Sequence, residues 1–472
     1  MRPLTYQSLP FELPRPFPDV LRAALNQRHA VFFDSASGGG DSWLAFAPVM
    51  LVQCEGQGAE FRRGHLTSRL EGDPLEIFER VERFTAQESV LQGHAPSGFC
   101  GGWAGLLGFD LRTSIEKLMW PKPGGPLLPD LQAGFYPWVL RLPAQGTPEL
   151  RLLLGVPGGP TDINALADDL AALFTEASDG PLPAELEPAR LTTDRAAFIE
   201  GVHAVKAAIT EGEIYQANLT REVVYRGEAD PVETYLRLRE RNPAPFAGYL
   251  DCGQSRAVLS SSPESLLDVR GGRLATRPIK GTRPRVPDAT EDARLRGELA
   301  ASEKDRAELT MIVDLERNDL SRVCVPGTVK VPELHGLYSF QRVHHLQATV
   351  EGQLKDGATP VQIVRAVFPG GSISGVPKKR ALEIIWDLEP VRRGPYTGSL
   401  FWLSPTGEMQ ANILIRTILR EPGRMSFHVG GGITAQSDPE AEWEETFHKA
   451  AALHDVLERS ADLRSAVVEG GR

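Results

Sequence analysis

Cysteine is scarce in this chain of 472 residues, with Cys54, Cys100, Cys252 and Cys324 far apart and none in a Cys-x-x-Cys pair. That excludes a disulfide framework and a thiolate zinc site, and fits a reducing compartment. Long apolar runs are missing too, so no helical membrane span is expected. The opening segment MRPLTYQSLPFELPRPFPDV carries five prolines and no apolar core. This is not the pattern of a signal peptide, and a cytoplasmic location is expected. Positive charge is in deficit, with 51 Lys+Arg against 62 Asp+Glu and a net charge of −11. Proteins that coat nucleic acid or anionic membranes are normally basic, so neither partner is expected. A Gly-x-Gly-x-x-Gly fingerprint and a P-loop are also absent, which argues against a dinucleotide or nucleoside triphosphate enzyme. What is plentiful is glycine and proline, 46 and 37, unevenly spread through a chain that is 41% hydrophobic. There is apolar material for two or three ordinary domains or one large one.

Two halves differ in pattern. Over residues 1–155, AVFF (30–33), WLAFAPVMLVQ (43–53) and FYPWVLRL (135–142) read as strands in a mostly antiparallel arrangement. FCGGWAGLLGFDL (99–111) reads as a strand whose glycines allow close packing. A connector is expected over 156–191. There, INALADDLAALFTEA (163–177) has helical spacing, and DGPLPAELEPAR (179–190) is polar and proline-rich. Residues 192–458 alternate helical and extended patterns and hold the chemistry.

In SSPESLLDVRGGRLATRPIKGTRPR (261–285), Lys280 sits among Arg277, Arg283 and Arg285. Nearby positive charge lowers a lysine pKa and frees the amine as a nucleophile; an exposed basic turn is the alternative. The helical pattern of 302–323 puts Asp305 and Glu308 three apart, on one face. The segment 437–457 starts with Asp438 as N-cap and Pro439 as first helical residue, and Glu442 and Glu445 repeat the spacing. Two such carboxylate pairs suit Mg²⁺, which takes oxygen ligands and keeps several waters. Either pair alone also fits a solvated face or a helix-dipole complement.

Two glycine loops, FPGGSISGVPKKRALEII (368–385) and HVGGGIT (428–434), read either as tight turns or as places where a carboxylate or phosphate meets the backbone. Gln216 and Asn218 in EIYQANLT, His345 in RVHHLQATVEG and Arg416 in NILIRTI are polar residues on apolar ground. On an alternating strand Asn412, Leu414 and Arg416 share a face, so an inward arginine would need an anionic partner.

Taken together, EIYQANL, SSPE, PIKGT, EKDRAE, VDLERND, VHHL, FPGGSISGVPKKRALEII, RGPYTG, ILIRT, GGGIT and SDPEAEWEETFHKA resemble the chorismate-utilising enzymes over about residues 195–455. The N-terminal half is similar more loosely, best in GGWAGLLGFDL. The resemblance implies an α+β (α/β) fold like the anthranilate synthase large subunit. In it, two largely antiparallel sheets pack face to face, flanked by helices. It also implies an N-terminal portion over 1–155, a connector over 156–191 and a chorismate-binding catalytic portion over 192–458. Family members that add water carry a lysine base where this chain has Gln216, so an amine nucleophile is implied instead. Anthranilate synthases have alanine where this chain has Lys280. With lysine there, the chain is similar to the aminodeoxychorismate synthases, in which the lysine amine attacks ring carbon 2 and ammonia then displaces it at carbon 4. The remaining alternative is an anthranilate synthase component I.

By motif match, the resemblance implies Lys280 as nucleophile, Glu264 as general acid and His345 beside the ring. Glu308 and Glu445 would be direct Mg²⁺ ligands, with Asp305 and Glu442 holding its waters. Gln216, Thr282, Ser372, Tyr396, Arg416, Lys379 and the backbone at Gly430, Gly431 and Gly432 would bind substrate, with Lys378 an alternative to Lys379. Relatives hold tryptophan in the N-terminal half, but FFDSAS (32–37) only loosely resembles the residues that contact it. No cysteine lies in a Gly-x-Cys-x-Gly context, so ammonia is expected from a separate glutamine amidotransferase subunit in a heterodimer. Removal of pyruvate to give 4-aminobenzoate, toward folate, is expected of another enzyme.

Overall fold

The computed structural model describes residues 2–458 except 38, 88, 120–121, 123, 177–184 and 341. Among them the strands form two large sheets, one of 14 strands and one of 12. Pairing is largely antiparallel; Arg2–Pro10 alongside Ser89–Gln92 is a parallel exception. Both sheets run through both halves of the sequence. Phe246–Gly253 pairs with Val31–Asp34 in the first, and Ser399–Leu403 pairs with Gly102–Leu107 in the second. The halves on either side of 156–191 therefore complete one another's sheets.

Face-to-face packing of the sheets buries Val31, Trp43, Phe99, Leu106, Tyr136, Leu250, Leu400 and Trp402 in one layer. Phe99 stacks on Trp402 with ring centroids 5.6 Å apart. Each such aromatic removes a large apolar area from water, which is the main cohesive term between the sheets. Within GGWAGLLGFDL, a Cβ on Gly105 would collide with the Gln132 carbonyl. Glycine there lets Gly102–Leu107 lie against Leu131–Tyr136, the close packing that its composition predicts.

Two of the expected strands are each two strands. WLAFAPVMLVQ divides into Ser42–Ala45 and Met50–Glu55, and FYPWVLRL spans the end of Leu131–Tyr136 and Trp138–Leu142. In both cases the pieces lie in different sheets, and a proline (Pro48, Pro137) stands at the crossing. Proline cannot donate to a ladder, so it sits where pairing is handed over.

The same kind of crossing builds the catalytic end. Arg256–Ser262 belongs to the first sheet and Ser265–Arg270 to the second, with Glu264 at the corner. The return crossing joins Met409–Asn412 to Thr417–Glu421, with Arg416 at its end. Arg416 is therefore not on an alternating strand with Asn412. The strand ends at Asn412, and Arg416 adopts φ +52°, a left-handed conformation that non-glycine residues rarely hold.

Helices cover the outer faces. Glu303–Val323 starts at Ser302, whose side chain accepts from the Asp305 N–H, and Pro439–Leu457 starts at Asp438, which accepts from the Ala441 N–H. Ile163–Thr175 is capped by Asp162, and Arg190–Leu191 pairs along Gln216–Glu228. The 177–184 part of the predicted connector lies outside the described residues. No helix among the described residues is long and apolar enough to cross a membrane.

Candidate active site

The two crossings and the two acidic helices surround a cavity of about 830 Å³. Its wall includes Glu264, Lys280, Thr282, His345, Ser372 and Tyr396, then Arg416, Gly430 and Gly432, and the four carboxylates Asp305, Glu308, Glu442 and Glu445. Residues spread over more than 180 positions of sequence thus meet at one place.

Lys280 lies on the strand Ile279–Pro284, which pairs with Val343–Gln353 and bulges between Lys280 and Thr282. Gly281 forms the bulge with φ +74°, and a Cβ there would stand 2.8 Å from Asp305. A side chain at this position would have to displace Asp305 and Leu299 on the two neighbouring helices. Lys280 Nζ donates weakly to the Ser372 carbonyl at 3.5 Å. Burial lowers its pKa; Glu308 opposes this and Lys449 reinforces it. The direction matches the expectation, but the cause differs. Arg277, Arg283 and Arg285 each face a carboxylate, Asp268, Asp305 and Asp292, so desolvation and not an arginine cluster frees the amine.

Glu264 is buried, and its pKa is pushed up to about 7 by desolvation, held back in part by the Ser372 hydroxyl, by the Ile279 N–H, which donates at 3.3 Å, and by Lys280. A carboxyl that keeps its proton near neutrality can act as a general acid. His345 shares a hydrogen bond between Nδ1 and Thr282 Oγ1 at 2.9 Å. Burial, helped by the Arg416 charge, lowers it to about 4, so the ring is neutral at pH 7.

Three expected residues stand apart from this wall. Gln216 lies just behind it, fully buried, with neither amide atom partnered among the described residues. Its Nε2 is 2.7 Å from where a Cβ on Gly432 would stand. An unpaired buried amide costs free energy and marks a place where a polar ligand belongs. Gly431 points the other way from Gly430 and Gly432, as strand alternation requires, toward Glu442 and Lys449. Lys379 is exposed and does not reach the cavity. The helix Lys378–Leu388 turns its first residue inward, where Lys378 Nζ donates to Asp319 at 2.8 Å, and the next residue faces solvent. The cations at this end are Arg416 and Lys449 instead. Lys449 donates to the Gly430 carbonyl at 2.9 Å and to Glu445 at 2.7 Å. Its position seven residues after Glu442, on the same helical face, is the sequence signal that would have found it. His428, which opens HVGGGIT, is another wall residue, stacked on Tyr396 with ring centroids 5.2 Å apart.

The acidic wall offers only carboxylate oxygens. Burial raises Glu308, with Lys280 and Lys304 pulling it down and Asp305 and Glu445 pushing it up. For Glu445, burial is outweighed by Lys449. Oxygen donors that repel one another and draw in lysines fit a hard divalent cation. Among the described residues, no three metal-binding side chains already converge.

Compared with protein families, residues 28–455 match the family described as chorismate binding enzyme. The chain belongs to that family. Among curated chorismate-family relatives, aminodeoxychorismate synthase component 1 of Klebsiella aerogenes is 36% identical, over 91% of this chain and 93% of that one. Anthranilate synthase component 1 of Thermus thermophilus is 40% identical, over 82% of this chain and 83% of that one. Among solved structures, anthranilate synthase component I from Streptococcus pneumoniae superposes with a TM-score of 0.75 at 27% identity, covering 89% of this chain and 92% of the other. The family's fold of two packed antiparallel sheets with flanking helices is the fold described above.

Proposed function

We propose that this chain acts as an aminodeoxychorismate synthase component 1, converting chorismate and ammonia to 4-amino-4-deoxychorismate and water. The observation that carries the reading is the desolvated amine of Lys280 on the same cavity wall as the raised carboxyl of Glu264. Lys280 Nζ bonds to ring carbon 2 while the 4-hydroxyl leaves as water, taking the proton of Glu264. Ammonia then bonds to carbon 4, the ring double bonds shift back, the carbon 2–nitrogen bond breaks to release the neutral Lys280 amine, and a proton of the new ammonium group returns to Glu264. One awkward substitution becomes two. Gln216 carries no basic nitrogen, so this wall has no group to activate water where a lysine would.

Arg416, Tyr396 and the backbone at Gly430 and Gly432 would hold the enolpyruvyl carboxylate, with Ser372 and Thr282 along the ring and His345 a neutral hydrogen-bonding neighbour. Glu308 and Glu445 would hold Mg²⁺ directly and Asp305 and Glu442 through water; the ion would offset the ring carboxylate's charge. All four cysteines are buried and unpaired, and burial pushes Cys54 up to about 12, so none offers a glutaminase thiolate. Ammonia would come from a separate glutamine amidotransferase subunit, in the cytoplasm.

The test is product identification from purified protein, chorismate, Mg²⁺ and an ammonium salt. The expected outcome is 4-aminobenzoate only after a separate lyase is added. The second reading, anthranilate synthesis, is favoured by relatives such as that of T. thermophilus, and fluorescent anthranilate appearing with no added lyase would establish it instead.

A further inference from the structure

One buried arginine ties three parts of the cavity wall together. Arg393 is 1% exposed, and all five of its N–H groups are donated. Nε and Nη2 donate to the two oxygens of Glu389 at 2.9 and 2.7 Å. Nη2 also donates to the Asn218 carbonyl at 2.6 Å, and Nη1 donates to the Ile373 carbonyl and to Thr397 Oγ1, both at 3.2 Å. Asn218 and Ile373 line the cavity, Ile373 next to Ser372, and Thr397 follows Tyr396 with φ +61°. Thr397 Oγ1 in turn donates to the Tyr396 carbonyl at 2.6 Å. Glu389 also accepts from the Thr220 N–H and hydroxyl at 3.0 and 2.8 Å. A planar fork with every donor used fixes its acceptors in distance and direction, as a lysine cannot.

The far side of this clamp comes from the N-terminal half. The Phe109 ring lies 4.5 Å beneath the Arg393 guanidinium, and its N–H donates to the Gly394 carbonyl at 2.8 Å. Asp110 accepts from the Gly394 N–H at 3.1 Å and from Arg392 Nε at 3.0 Å. Both residues belong to GGWAGLLGFDL, the N-terminal segment whose composition explained only its packing.

We propose that Arg393 is a positioning residue for the reaction, holding Tyr396 and the Ser372–Ile373 turn in place for substrate, with Phe109 and Asp110 as its buttress. The inference rests on the functional reading above, in which Tyr396 and Ser372 face chorismate. It gives the N-terminal half a part in building the site as well as in completing the sheets.

The test compares steady-state kinetics, active-site titration and thermal melting for wild type, Arg393→Lys and Phe109→Leu. Arg393→Lys keeps the charge and loses the fork, so KM for chorismate should rise about tenfold or more per active molecule while KM for ammonium stays unchanged. Phe109→Leu keeps an apolar core residue and removes the ring beneath the guanidinium. It should move KM for chorismate in the same direction by about two- to fivefold. If both variants melt lower or yield fewer active molecules with KM for chorismate unchanged, Arg393 is only structural and the inference falls. If Arg393→Lys does not fold, Phe109→Leu decides alone. A wild-type chain that binds no chorismate by calorimetry would overturn the functional reading and this inference together. Unchanged KM values in a chorismate-binding wild type would overturn the inference alone.

Discussion

The two sheets enclose two different interiors. At the end shared with the N-terminal strands, the space between them is filled by Trp43, Phe99, Tyr136 and Trp402. The buried carboxylate nearby, Asp34, accepts from Arg239 Nε at 2.7 Å, Tyr235 at 3.0 Å and Ser42 at 3.4 Å. At the other end the space stays open. The buried carboxyl there, Glu264, meets the Ile279 N–H at 3.3 Å and faces no guanidinium among the described residues. The Gln216 amide is unpaired among the described residues, and burial lowers the Arg416 pKa. Burial raises the Asp34 pKa and its three partners oppose it, so they offset part of the cost of burial while tying the fold together. Around Gln216, where a buried amide is left unmatched beside an open cavity, a polar ligand would offset that unfavourable free energy.

The contrast can be broken at its strongest point first. Lys280→Ala should lower formation of the 4-amino product by about a thousandfold or more, with an unchanged melting temperature, because the residue supplies chemistry and little packing. Chromatographic product assay beside calorimetry checks both halves of the statement. Next, Glu264→Gln should lower kcat by about a hundredfold or more. In the wild type the carboxyl is protonated below about 7, so kcat/KM should fall as pH rises through that value, and this limb should vanish in the variant. The same shift has a stability consequence. The folded-state pKa is raised from 4.5 to about 7, so the stability Glu264 contributes at low pH is lost as pH climbs between those values. Glu264→Gln should therefore melt no lower than wild type at pH 8.

Asp34→Asn is the mirror image. It leaves the half-buried Arg239 facing a neutral amide and should cost about 1–3 kcal/mol of stability, measured by denaturant unfolding, while turnover per folded molecule is unchanged. At the small end, Lys379→Ala should leave KM for chorismate as it is, since the side chain faces solvent.

Much of this division is legible in the sequence, because local rules act locally. Asp438 before Pro439 and the i, i+3 spacing of Asp305 with Glu308 and Glu442 with Glu445 are decided within one turn, and the structure has them as read. What periodicity does not carry is which sheet a strand joins. WLAFAPVMLVQ and FYPWVLRL each look like one apolar strand, yet each is handed from one sheet to the other at a proline. The same blindness hid the corner at Arg416, whose left-handed φ breaks the alternation that NILIRTI suggests. Lys379 departs from the expected substrate contact for a related reason. In KK at a helix start, only one lysine can point inward, and the buried Asp319 at 2.8 Å from Lys378 decides which. Phe109 and Asp110 lie in GGWAGLLGFDL, where the resemblance marks the segment but not this role, since their partners in the clamp, Arg393 and Arg392, lie more than 270 residues away.

If Lys280 attacks the ring, withholding ammonia should trap the enzyme after that step. The protein would be incubated with chorismate and Mg²⁺ without ammonium, then quenched, digested and mapped by mass spectrometry. The account predicts a chorismate-derived adduct confined to the peptide carrying Lys280, disappearing once ammonium is supplied. An unmodified Lys280 peptide in a preparation that forms the 4-amino product on adding ammonium would contradict it.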